Sequence, residues 1–146
     1  MNVLFVCLGN ICRSPLAAGI MVKIYEDEKI TGEIDSCGTM DWNVGNSADP
    51  RSISVALSNG IDLSKHRARQ ITLEDFERFD VIFAMDSMNV SALRKLAPAQ
   101  HKHKIRLIGG AFEVQDPYHS NEAAFRETYK VLDDFCRQAV RNKFKE

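Results

Sequence analysis

A chain of 146 residues that is 45% hydrophobic has the length and apolar fraction of one globular domain around a single core, residues 1–146. Its 19 basic and 20 acidic side chains leave a formal charge of -1, which excludes a global field that would gather nucleic acid or an anionic membrane surface. The apolar opening, residues 3–6, is too short for a membrane span and lacks the pattern of a secretory leader, so the default is a soluble cytoplasmic protein.

Residues 2–7, rich in Val and Phe, read as a strand buried on both faces of a parallel sheet. Gly9 and Asn10 end it. Ser14 followed by Pro15 is a helix-start pattern, and Leu16, Ile20, Met21 and Ile24 recur at helical spacing, which predicts a helix over residues 15–29. A second strand is expected at 33–38, a loop at 42–49, and a helix at 50–59 closed by Gly60. The TxxD pattern at Thr72 opens a short helix to residue 79. A third strand over 80–85 leads into a helix at 87–96 that stops before Pro98, and residues 104–108 form a fourth strand. Phe125, Tyr129, Leu132, Cys136 and Val140 stripe one face of a long final helix. Strands alternating with helices predict a doubly wound α/β domain, a parallel sheet with helices on both faces, and ligands bound beyond the carboxyl ends of its strands.

The four cysteines suggest reactive or buried thiols rather than a disulfide framework, because the chain is large enough to be held by its core. Cys7 and Cys12 have poor zinc spacing with no second ligand pair downstream, and no metal or other cofactor is expected. Cys37 and Cys136 read as structural, and His101 and His103 as solvated.

Cys7 and Arg13 form a CxxxxxR loop placed between a strand and a helix. Backbone N–H groups from Leu8 through Gly9, Asn10, Ile11 and Cys12 to Ser14 can converge on a phosphate, with the helix dipole behind them. Gly9 permits the tight path, and Arg13 supplies a planar fork for two oxygens. Such surroundings favour Cys7 as a thiolate, which can attack phosphorus, while Ser14 can donate to the sulfur as it leaves. CxxxxxR alone is short enough that an inert buried cysteine and a surface arginine would be the better reading. The full run of strand, Gly9, Asn10, Arg13, Ser14, Pro15 and helix favours the anion site.

VCLGNICRSP resembles the signature of the low-molecular-weight protein tyrosine phosphatases. The likeness continues through DSCGT at 35–39, DWNVG at 41–45, ADPR at 48–51, HRARQIT at 66–72, DFERFD at 75–80, AMD at 84–86 and DPY at 116–118, in the family's order. The resemblance implies a four-stranded parallel sheet and hydrolysis of phosphotyrosine or other aryl phosphate monoesters through a phosphocysteine, without a metal. It implies Asp116 as general acid and then base, a role an isolated Asp-Pro-Tyr turn would not suggest. It places Trp42 and Tyr118 beside the substrate ring, where each could offer an aromatic face. It puts Asn10, Ser36 and His66 in a hydrogen-bonded network behind the loop, with Asn10 in an unusual backbone conformation that Asn tolerates. Asp86 is expected to buttress the loop or Arg13.

Cys12 either packs beneath the loop or, as in the family, closes a protective disulfide on Cys7. Where many eukaryotic members carry a second tyrosine after DPY, this chain has His119, so regulation at a tyrosine pair is not expected. The expected partners are phosphotyrosine proteins or small aryl phosphates, acted on by a monomer or weak homodimer. The rivals are a thiol-dependent arsenate reductase, which normally needs a downstream cysteine pair, and a phosphocysteine carrier domain.

Overall fold

The computed structural model describes residues 1–142. Four strands, β1 (Val3–Cys7), β2 (Ile34–Gly38), β3 (Val81–Ala84) and β4 (Ile105–Leu107), pair in parallel in the order β2-β1-β3-β4. The helices are α1 (Arg13–Glu28), α2 (Pro50–Ser58), α3 (Leu73–Arg78), α4 (Ser87–Leu96) and α5 (Glu122–Arg141). This is the doubly wound α/β arrangement expected of alternating strands and helices. No helix among the described residues is long and apolar enough to cross a membrane.

β1 is apolar at every position because both its faces are covered. Side chains alternate along a strand, so Val3, Phe5 and Cys7 join the core built with Leu16, Ile20 and Leu132 from α1 and α5. Leu4 and Val6 join the opposite core with Phe76, Phe79 and Leu93 around α3 and α4. Phe5 and Phe83 stack across neighbouring strands with centroids 5.7 Å apart, an offset aromatic contact that locks β1 to β3. Cys37 and Cys136 are fully buried, one in each core.

Local chemistry sets the helix starts. Asp49 accepts from the Arg51 N–H and Asp86 from the Asn89 N–H, each at 2.8 Å, and Asn121 accepts from the Ala124 N–H at 3.0 Å. Asp75 closes a capping box on the Thr72 N–H at 2.8 Å. Three local expectations need correction. α1 begins at Arg13 with Cys12 as its cap, so Ser14 is not the capping residue. β4 starts one residue later than expected because the chain after Pro98 forms a 3-10 helix, Ala99–Lys104. His101 is half-buried on that turn rather than solvated, whereas His103 is exposed.

β1 has β2 on one side and β3 on the other, so the chain reverses its direction of winding beside β1. The crevice beyond the carboxyl end of β1 is therefore the binding position of such a sheet, and Cys7 lies at its floor.

Candidate active site

Residues 8–12 link the end of β1 to the first turn of α1. Cys12 makes no side-chain capping bond, which leaves first-turn N–H groups of a 16-residue helix without a side-chain cap and suited to receive an anion. Cys7 is 3% exposed, and its Sγ accepts from the Asn10 N–H at 3.3 Å and lies 2.9 Å from Ser14 Oγ. Asn10 Nδ2 donates to the same Oγ at 2.8 Å, so the hydroxyl hydrogen is free to turn toward the sulfur. The Cys37 carbonyl, 3.4 Å away, offers that hydrogen a second acceptor, and Ser14 faces these groups instead of capping the helix.

The left-handed residue in the loop is Asn10, with φ 58°, and not Gly9. A side chain on Gly9 would press against Asn43 Nδ2 at 2.6 Å, so its smallness makes room for a neighbour. Four contacts hold Asn10 in its conformation. Its Nδ2 donates to Ser14 Oγ and to Ser36 Oγ at 3.0 Å, its Oδ1 accepts from the Arg69 N–H at 3.0 Å, and its carbonyl meets His66 Nε2 at 2.8 Å. Because a carbonyl only accepts, that contact requires a proton on Nε2.

Burial lowers the His66 pKa below its ordinary 6.5, against the opposing pull of the Asn10 carbonyl and Asp35. A depressed histidine pKa means the neutral ring contributes stability that is full above about pH 6.5 and is lost as pH falls through the folded value. The thermal midpoint is expected to start falling below pH 6.5, and His66→Gln, which keeps a donor but does not titrate, should flatten that step. Burial works against the carboxylates of Asp49 and Asp75, but hydrogen bonds from Arg51 and Arg69 outweigh it and hold both below the ordinary 3.8. Their loss therefore falls at lower pH and should persist in the variant.

Arg13 is nearly sealed, with 3% of its side chain exposed. One terminal nitrogen donates at 2.8 Å both to Asp86 Oδ2 and to the Val114 carbonyl, while the other lies 3.7 Å from Asp116 Oδ2. Among the described residues its Nε is buried with no hydrogen-bond partner. Asp86 spends its second oxygen on the start of α4, so the guanidinium is tied to a helix terminus and cannot swing.

Cys7, Leu8, Gly9, Ile11, Cys12, Arg13, Trp42, Asp116 and Tyr118 line one cleft of about 220 Å³. Asn10, Ser14, Ser36 and His66 lie behind its floor. Trp42 is 64% and Tyr118 44% exposed, and the Asp116 side chain is 42% exposed at the mouth. A wider groove of about 420 Å³ between α2 and α5 is lined by residues such as Arg126 and Lys130 and contains no cysteine. Sequence reasoning missed Asn43 and His119 as lining residues, and the Val114 carbonyl that holds Arg13. Asn43 could have been suspected from its place beside Trp42, but a backbone carbonyl carries no sequence signal.

Residues 2–146 match the family model for low molecular weight phosphotyrosine protein phosphatase. The chain belongs to that family. It is 43% identical to the low molecular weight phosphotyrosine protein phosphatase 1 of Drosophila melanogaster, over 99% of this chain and 98% of that one. The Schizosaccharomyces pombe relative is 40% identical, over 97% and 96% of the two chains. A crystal structure of the protein tyrosine phosphatase from Entamoeba histolytica matches with a TM-score of 0.93 at 36% identity, over 98% and 96%. In this member of the low molecular weight phosphatase family, His119 packs edge-on against the Tyr118 ring with centroids 4.9 Å apart.

Proposed function

We propose that residues 1–146 form one protein tyrosine phosphatase domain that hydrolyses phosphotyrosine and other aryl phosphate monoesters through a phosphocysteine. The observation that carries this reading is the buried, unpartnered Nε of Arg13 in a cleft floored by Cys7. Leaving such a donor unsatisfied costs about 1–3 kcal/mol, a penalty that a phosphate oxygen beside it would remove. Asp86 and Val114 hold the other edge of the guanidinium, so the fork meets the phosphate already oriented.

In the first step the Cys7 thiolate attacks phosphorus, the bond from phosphorus to the ester oxygen breaks, and Asp116 gives its proton to that oxygen. In the second, Asp116 takes a proton from a water that attacks the phosphocysteine, and inorganic phosphate and the thiolate are released. The Ser14 hydroxyl donates to the departing sulfur. Loop N–H groups and Arg13 stabilise the charge that shifts onto the equatorial oxygens in both steps.

Trp42 and Tyr118 flank the mouth and suit a flat aryl group, which supports phosphotyrosine proteins and small aryl phosphates as substrates. Oxidation of Cys7 by a peroxide followed by attack of the Cys12 thiol would release water, close a disulfide and protect the nucleophile. Cys37 and Cys136 are buried on opposite faces of the sheet and do not line the cleft, which weighs against an arsenate reductase relay. Asp116 at the mouth weighs against a passive phosphocysteine carrier.

Purified protein should turn over phosphotyrosine far faster than phosphoserine. Alkaline denaturing quench during turnover of phosphate-labelled aryl phosphate should trap the label on Cys7, because the phosphorus–sulfur bond survives alkali. Equal rates on both amino acids would remove the aryl preference, and an unlabelled protein would remove the covalent intermediate.

A further inference from the structure

We propose that Arg51 is a positioning residue for the general acid, holding the segment 116–120 in register with the nucleophile loop. The inference rests on the reading of Asp116 as that acid. Arg51 belongs to the first turn of α2, and this turn grips the nucleophile loop directly. The Asp49 N–H donates to the Ile11 carbonyl at 2.8 Å, and Ser52 Oγ donates to the Cys12 carbonyl at 3.3 Å. The same turn then reaches across the cleft. Arg51 donates at 2.9 Å to the Tyr118 carbonyl and at 3.0 Å to the Ser120 carbonyl.

The guanidinium that spans this gap is itself held rigid. Its Nε and one terminal nitrogen chelate the two oxygens of Asp49 at 3.0 and 2.9 Å, and Asp49 is 6% exposed. Its plane lies over the ring of Phe125, a buried residue of α5, with the central carbon 4.2 Å from the centroid. The same carbon is 5.8 Å from the Tyr118 ring, so one guanidinium touches both the backbone and the side chain of the wall residue.

Segment 115–120 has no strand or helix of its own. Its internal bonds are local: the Tyr118 N–H donates to Asp116 Oδ1 at 3.1 Å, and the Ser120 N–H to the Pro117 carbonyl at 2.9 Å. Those bonds shape the turn but do not fix its distance from Cys7. The Arg51 bridge joins the acid turn to the helix turn that holds Ile11 and Cys12, and it adds a second tether to the contacts of Arg13 with Val114 and Asp116. An acid displaced by an ångström can lose about a hundredfold in rate without any loss of phosphate binding.

The test is a leaving-group series with Arg51→Ala, Arg51→Lys and Asp116→Asn measured side by side, together with inhibition by inorganic phosphate and thermal midpoints. Arg51→Ala is expected to lower kcat/KM on phenyl phosphate about 10–100-fold and on dinitrophenyl phosphate about threefold or less, since kcat/KM stops at departure of the leaving group, before the breakdown step in which Asp116 acts as base, and the better leaving group needs little protonation. Inhibition by phosphate should stay within about twofold, as the loop and Arg13 are intact. Arg51→Lys, which keeps the charge but loses the fork, should show the same graded pattern and serves if the alanine variant does not fold. Equal losses on both substrates, loss of phosphate inhibition, or no loss at all would overturn the positioning role while Asp116→Asn remains graded. A flat response in Asp116→Asn would overturn the acid reading itself, and this inference with it.

Discussion

Cys7→Ser is expected to abolish turnover of aryl phosphates, with a loss on the order of 10⁶ if the serine is as ineffective as other nucleophile knockouts. A serine hydroxyl ionises far less readily than a thiol, and it lacks the nucleophilicity of sulfur. The neighbouring thiols cannot substitute. Burial, with the charges of Asp49 and Asp116 added, pushes the Cys12 thiol up, and burial pushes Cys37 up as well. Phosphate binding should survive, because the loop N–H groups and Arg13 do not depend on the sulfur. Trp42 supplies the measurement: it is the only tryptophan, it lines the cleft, and its fluorescence should titrate with inorganic phosphate in the variant. A variant that keeps its rate would refute nucleophilic catalysis by Cys7.

Asp116→Asn should slow hydrolysis of phenyl phosphate by about 10²–10⁴, the span typical of a lost general acid or base. Asparagine preserves size and can still accept the Tyr118 N–H, so the turn should persist. The loss should shrink as the leaving group becomes more acidic, until breakdown of the phosphocysteine limits the rate. That second step also needs Asp116, now as base, so even the best leaving group should retain a defect. Burst kinetics on dinitrophenyl phosphate would then reveal accumulated phosphocysteine. Equal losses across the series with no burst would remove Asp116 from proton transfer and leave it as a charge 3.7 Å from Arg13.

The acid also illustrates which features can be read before folding. Cys7 and Arg13 are separated by a short loop, so the local run of strand, Gly9, Asn10, Arg13, Ser14, Pro15 and helix carries the signal of an anion cradle. Asp116 lies far along the chain from Cys7, and nothing local marks an Asp-Pro-Tyr turn as catalytic. Only the family pattern pointed to it. Arg51 shows the opposite case: it lies in the quoted ADPR run, yet its bridge to Tyr118 and Ser120 depends on how α2 and the acid turn meet in space.

Local chemistry by itself determined the order of elements. The apolar run of β1, the capping pattern at Thr72, and the stripe on α5 each act within a few residues, where periodicity and hydrogen-bond preference are strong. The start of α1 escaped that logic, because Ser14 has the capping signature but is drawn to Cys7 Sγ and Asn10 Nδ2. Two offers were open to the same hydroxyl, and tertiary contact chose between them. Likewise Gly9 looked like the residue needed for a strained path, while Asn10 carries the positive φ. The compensating bonds come from Ser36, His66 and Arg69, which are remote in sequence. Composition and spacing thus determined a parallel α/β sheet with an anion loop after its first strand. Tertiary structure decided how that loop is held, because each group that holds it reaches the site only after β2, the segment after α2, and α4 have packed around β1.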